Sequence, residues 1–234
     1  GPAWMEEGGA DYFAYNVAAK NKWKNHDYKY TMKQALLQAR AEIKKGKKKG
    51  IKVTLKNYAT ESQIDEMKAK GFYAHFQYDG GAWANAYLRY LKGTNKGVFT
   101  NYYKDIAELE RTWRKKGKMN YGWQKSFRKN FGMTVDQFYA KFNRFMKWSD
   151  DLTRYSGTGQ AQPDVASTAA QSADELTNFF KTIADQRRAQ PGEDLISSLV
   201  QIEEQGDRLS EPELLAMCGF LIVAGHETTM ALLG

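Results

Sequence analysis

Cysteine is almost missing from this chain: Cys218 stands alone among 234 residues. An internal disulfide and any multi-cysteine zinc or iron–sulfur site are thereby excluded. Histidine is nearly as scarce, at His26, His75 and His226, and no two are spaced i, i+4. The nearly uninterrupted apolar run from Leu214 to Gly225 is too short to span a bilayer, which needs about 20 residues. No secretory leader pattern is present in the sequence, and the cytoplasm is the expected compartment. Gly1-Pro2 reads either as a cleavage scar or as part of something longer.

Acidic residues are rare in the first part and lysine is rare in the second. Residues 1–147 hold 30 Lys and Arg against 13 Asp and Glu, a net +17. Residues 148–234 hold 5 against 14, a net −9, and Lys181 is their single lysine. Aromatic residues divide as 27 and 5 across the same point. So abrupt a change in composition marks a domain boundary or a join between unrelated sequences, placed within Phe145–Ser149. The overall net charge of +8 conceals this division.

What is present is helical patterning, and the expected fold class is mainly α. Thr31-Met-Lys-Gln34 reads as a capping box, with Met32, Ala35, Leu36, Ala39 and Ile43 on one face behind it. Lys44 to Gly50 reads as a loop, and Ile51-Lys-Val-Thr-Leu55 alternates like a short strand. Further helices are expected over 60–70, 83–91 and 101–115. Thr134-Val-Asp-Gln137 opens another, with Val135, Phe138, Phe142 and Phe145 as a core stripe. Gly157 to Pro163 reads as a polar connector. A long helix is expected over 164–188, burying Ala166, Ala169, Ala170, Ala173, Leu176, Phe180 and Ile183. A short one follows over 194–204, and Ser210-Glu-Pro-Glu213 caps a terminal, buried helix. At the end of that helix stand an acid and two hydroxyls, Glu227, Thr228 and Thr229. Buried acids need a partner, so these are site candidates.

The lysine run at 44–49 has the charge of a phosphate-binding footprint, and Trp23, Tyr28 and Tyr30 interleave aromatics with nearby lysines. No RNP, zinc-finger or helix-turn-helix signature accompanies them, so sequence motifs leave nucleic-acid binding unsupported.

Two segments carry resemblances. Gly1-Pro-Ala-Trp-Met-Glu-Glu-Gly-Gly-Ala-Asp-Tyr12 resembles the W-x-x-E-G-x-A-x-Y element of gluzincin-type zinc metallopeptidases. Tyr78-Asp-Gly-Gly-Ala82 resembles their Y-x-x-G-A element, and residues 122–138 look like the end of such domains. The resemblance implies Glu7 as a zinc ligand and Tyr78 as a catalytic oxyanion stabiliser, since a His₂Glu site leaves one position open for water. The H-E-x-x-H pair of that family would precede Glu7 and is not in the sequence.

Residues 148–234 resemble bacterial cytochromes P450. The carriers are Arg187-Arg-Ala-Gln-Pro-Gly-Glu-Asp-Leu-Ile-Ser-Ser-Leu-Val200, Gly206 to Leu215 and Ala224-Gly-His-Glu-Thr-Thr229, in that order. The resemblance implies a haem-dependent monooxygenase in which Ala224 and Gly225 let dioxygen approach the helix beside the cofactor. It makes Glu227 and Thr228 the acid–alcohol pair that binds oxygen and relays protons, as O–O cleavage requires. The haem-thiolate cysteine loop of the family would follow Gly234, and Cys218 lies two turns too early to replace it.

The chain is therefore expected to be a composite: a metallopeptidase-like basic segment over 1–146, a junction over 147–163 and a partial cytochrome P450 over 164–234. Neither part is expected to carry a whole metal centre or to be active alone. Haem is the cofactor implied for the second part and zinc, more weakly, for the first. A complete enzyme of the second kind would take a small organic substrate and a redox partner. The alternatives are a zinc-peptidase remnant and a non-catalytic helical protein with a basic binding surface. Oligomeric state is left open.

Overall fold

A computed structural model of the chain describes residues 1–22, 28–72, 75–92, 97–116, 122–159, 162–192, 195–204 and 209–219. Two compact units make up the chain, Gly1–Ala140 and Lys141–Gly234. Among the described residues every regular element is a helix or a helical turn, so the fold is mainly α.

The first unit contains α1 (Ala3–Lys20), α2 (Tyr28–Lys48), a 3₁₀ turn (Leu55–Tyr58), α3 (Glu61–Ala69), α4 (His75–Lys92), α5 (Val98–Lys115) and α6 (Trp123–Phe131). It also takes the start of α7 (Val135–Arg154). Helix α4 is its hub, packed against both α1 and α2, while α5 packs on α6. Aromatic rings fill the centre: Trp4, Tyr58, Phe72, Tyr102, Phe127, Phe131 and Phe138 are all essentially buried. Phe127 contacts Phe131 at 4.7 Å and Phe138 at 5.8 Å between centroids, and Trp4 stacks on Phe138 at 5.4 Å. Edge and offset ring pairs of this kind add to simple burial.

The α1–α4 pair is the closest contact in the unit. A Cβ on Gly8 would stand 2.4 Å from the Gly81 carbonyl carbon and 2.5 Å from the Ala82 nitrogen. A Cβ on Gly81 would stand 2.3 Å from the Trp4 oxygen. The two backbones touch here, and only glycine allows that approach. Asn85, fully buried, spans the contact by donating to the Gly81 carbonyl (2.8 Å) and the Trp4 carbonyl (3.4 Å).

Three expectations are corrected. Residues 51–55 form no strand: 51–54 are irregular and Leu55 opens the 3₁₀ turn. Val53 and Leu55 are buried as the alternation requires, but a strand needs a neighbour to pair with, and the described residues offer none. Lys44 to Lys48 are helical, because lysine is a good helix former and cations suit a helix C-terminus. Helix α2 stops at Gly50, whose φ of +67° is left-handed. Thr31 lies inside α2 rather than capping it, since the helix opens at Tyr28.

The second unit takes the rest of α7, a π-type turn (Tyr155–Gly159), α8 (Pro163–Ala189), α9 (Leu195–Glu204) and α10 (211–219). The compositional boundary inferred within 145–149 falls inside α7, which runs unbroken across it. Helix α8 starts with Pro163 in its first turn, where a missing N–H costs nothing. It buries Val165, Ala169, Ser172, Leu176, Phe180, Ile183, Ala184 and Arg187. Ala170, expected on that stripe, is exposed, because the stripe follows Val165 and Ser172 rather than the alanines. Ser172 donates to Asp151 at 2.6 Å, and Trp148 donates to Glu175 at 2.8 Å, tying α7 to α8. Lys181 and Arg188 of α8 both reach Glu211 at the start of α10, at 2.8 and 3.3 Å. Glu213 accepts from the Ser210 backbone and hydroxyl at 2.8 and 2.7 Å, which is the acid half of the expected cap.

Candidate functional site

In the first unit, the inferred site residues lie on the tightly packed α1–α4 pair. Glu7 is exposed on α1 and Tyr78 half-buried on α4, and no hydrogen bond joins them. The geometry instead groups Glu7 with Asp11, Tyr15 and Asp79. Burial raises the Asp11 carboxyl above the usual range, the charge of Glu7 raises it further, and a hydrogen bond from Tyr15 opposes both. Burial also raises the Tyr15 phenol, helped by the charges of Asp11 and Asp79. The helical spacing 7, 11, 15 was legible in the sequence as one face of α1. Asp79 was not, because its place depends on the glycine contact between two helices.

This face can hold a proton longer than separate carboxylates would. It does not amount to a metal centre: among the described residues no three His, Cys, Asp or Glu side chains are grouped to hold an ion. Around Glu7 the described geometry therefore assembles no zinc ligand set. A raised carboxylate pKa in the folded state means that the folded chain binds the extra proton. Its penalty accordingly grows as pH climbs from the ordinary Asp range through the raised value. Asp11→Asn is expected to raise the thermal midpoint at neutral pH by less than about 1 kcal/mol equivalent, since solvent screens a half-exposed group. The gain should vanish in melts run below the ordinary Asp range.

In the second unit, Ala224, Gly225, Glu227 and Thr228 lie outside the described residues, as does His226. The helix that leads toward them is described over 211–219. Leu214 and Leu215 are buried there, and Cys218 is 3% exposed. Burial pushes the Cys218 thiol up to about 11. A haem-thiolate ligand must be ionised and reach the iron from an accessible position, whereas this thiol is protonated and packed inside a helix face. Cys218, buried and with its thiol held protonated, does not fit an iron ligand. No described helix is long and apolar enough to cross a membrane.

Comparison with known proteins places part of the chain. It is 39% identical over 90 residues to Cytochrome P450 107B1 of Saccharopolyspora erythraea, covering 38% of this chain and 20% of that protein. It is 43% identical over 90 residues to Cytochrome P450 monooxygenase PikC of Streptomyces venezuelae, with 38% and 20% covered. To 6-deoxyerythronolide B hydroxylase of Saccharopolyspora erythraea it is 33% identical over 101 residues, covering 43% and 23%. The chain thus spans only about a fifth to a quarter of the length of these relatives. No family model and no solved structure matches it.

Proposed function

We propose that residues 148–234 are the portion of a haem-dependent monooxygenase that leads into and forms its oxygen-binding helix, fused to a basic helical unit of different origin. The observation that carries this reading is the 33–43% identity to cytochromes P450 over about two-fifths of the chain. Further support comes from the ordered run of three motifs that ends in Ala224-Gly-His-Glu-Thr-Thr229.

In this reading Thr228 presents a hydroxyl that holds a proton, and Glu227 supplies the carboxylate that replenishes it. Ala224 and Gly225 contribute smallness, which keeps the helix backbone open to a close approach. Haem, when bound, supplies the oxygen-activating chemistry, and Cys218 takes no part in holding it. A small organic substrate and an electron-donating protein belong to the same reading. Residues 1–146 are assigned no catalytic role in this reading; among the described residues Glu7 and Tyr78 share no hydrogen bond, and no three potential metal ligands are grouped.

A chimera tests this. Residues 148–234 replace the matching segment of one of the related monooxygenases, and haem content, product and reductant consumption are measured. The chimera is expected to retain haem and to hydroxylate. Thr228→Ala should then lower product per reductant by roughly 10²-fold, the usual scale of a positioned proton donor. A haem-replete chimera indifferent to both Thr228→Ala and Glu227→Gln would remove the assignment.

A further inference from the structure

We infer that the lysine-rich end of α2 is a docking surface for the phosphate backbone of a nucleic acid, engaged without sequence preference. Between Glu42 and Glu61 the chain carries seven lysines and no acid, and six of those lysines fall within residues 44–52. A favourable helix dipole accounts for cations in the last turn of α2 at about 0.3–1 kcal/mol each. It does not account for the density: Lys45 meets Glu42 at 3.9 Å, yet the chain supplies no further acid before Glu61. Lys44, Lys48 and Lys52 are exposed and make no ion pair with a described residue. Lysines on α3 and at its C-terminal end are neutralised: Lys68 meets Asp65 at 3.2 Å and Lys70 meets Glu66.

The structure also gathers this charge. The ammonium groups of Lys45 and Lys49 each stand 5.2 Å from the centre of the buried Phe72 ring. Lys49 further donates to the Lys70 carbonyl at the end of α3, at 3.2 Å. Both cations are held at one corner instead of spreading apart as like charges otherwise would. A polyanion relieves that repulsion and releases its own counterions on binding.

The chemistry of the corner selects among polyanions. Large apolar side chains exposed among the described residues are Val17, Tyr30 and Met217, and none lies in this corner. Among the described residues the corner thus shows no exposed large apolar side chain to insert into a bilayer and no exposed ring on which a base could stack, and its chemistry is that of phosphate contacts. Further exposed cations lie at Arg111 and Lys115 of α5, at Lys116 just after it, and at Lys125 and Arg128 of α6. A flexible or long polymer can reach charges distributed over several helices, whereas a flat membrane meets one face at a time.

The full chain is titrated into a labelled DNA duplex and anisotropy is followed across a salt series. Binding is expected at low salt with a steep log–log salt dependence. K44Q/K48Q/K52Q should make that slope shallower by about 2.7, from three lost phosphate contacts at about 0.9 each, and should weaken binding at least about tenfold. K115Q/K116Q/K125Q removes equal charge elsewhere in the unit and should cost clearly less. Circular dichroism confirms that each surface variant is folded. The inference is overturned if the parent does not bind the duplex or if the two triple variants lose affinity equally. It is also overturned if the parent binds phosphatidylserine vesicles but not the duplex.

Discussion

Replacing Gly8 with alanine is expected to destabilise the first unit by about 3 kcal/mol or more, at the upper end of overpacking effects. Helix propensity alone predicts the opposite sign, because alanine is favoured over glycine mid-helix by about 1 kcal/mol. Sterics decide. The added methyl would fall 2.4 Å from the Gly81 carbonyl carbon and 2.5 Å from the Ala82 nitrogen, where no side chain can swing away. One helix must move off the other, and the Asn85 bonds across the contact go with it. Gly81→Ala should behave alike, since its methyl would meet the Trp4 oxygen at 2.3 Å. Gly157→Ala is the control: nothing lies within 4 Å of its Cβ position, and its effect should stay within about 0.5 kcal/mol. Urea denaturation of the three variants checks the order, and a neutral Gly8→Ala would contradict the helix contact described here.

Truncating Trp4 is expected to cost about 3–5 kcal/mol. The indole is fully buried, stacks on Phe138, meets Tyr139 edge-on at 6.0 Å and donates from Nε1 to the Tyr139 hydroxyl at 2.9 Å. Tyr139→Phe isolates the polar part of this loss. It leaves the buried indole N–H without an acceptor and should cost about 1–3 kcal/mol. Burial pushes the Tyr139 phenol up to about 12, so its proton stays in place through ordinary buffers. If Tyr139→Phe matched Trp4→Ala in cost, the hydrogen bond would outweigh the packing, contrary to the geometry.

Local rules were legible in the sequence and long-range ones were not. Thr60 caps α3 through Gln63, and Thr134 caps α7 through Gln137, as S/T-x-x-E/Q spacing foretells. Helix α8 begins and ends within a residue of the inferred span, because Pro163 and the Pro191-Gly192 pair punctuate it. The pattern at 51–55 named the right buried residues but the wrong element, because alternation records burial and says nothing of a pairing partner. Gly80-Gly81 reads locally as a break, yet α4 runs through it, since Gly81 is placed against α1 and Gly80 under the Phe76 ring of α4 itself, not for a turn. The same holds for the acidic face. Glu7 stood out by motif and Asp11 follows it one turn later, while Asp79 joins them only through where α4 lies. The oxygen-helix role proposed for Ala224, Gly225, Glu227 and Thr228 rests on sequence and on the similarity of part of the chain to cytochromes P450.

The uneven distribution of rare residues has a practical consequence. Five of the six tryptophans fall in the first unit, and the single thiol falls in the second, buried and un-ionised. Indole emission therefore follows mainly the first unit. Thiol alkylation follows the second alone, at a rate set by how often α10 opens. Each unit carries its own reporter, and their unfolding can be timed separately without adding a label to either.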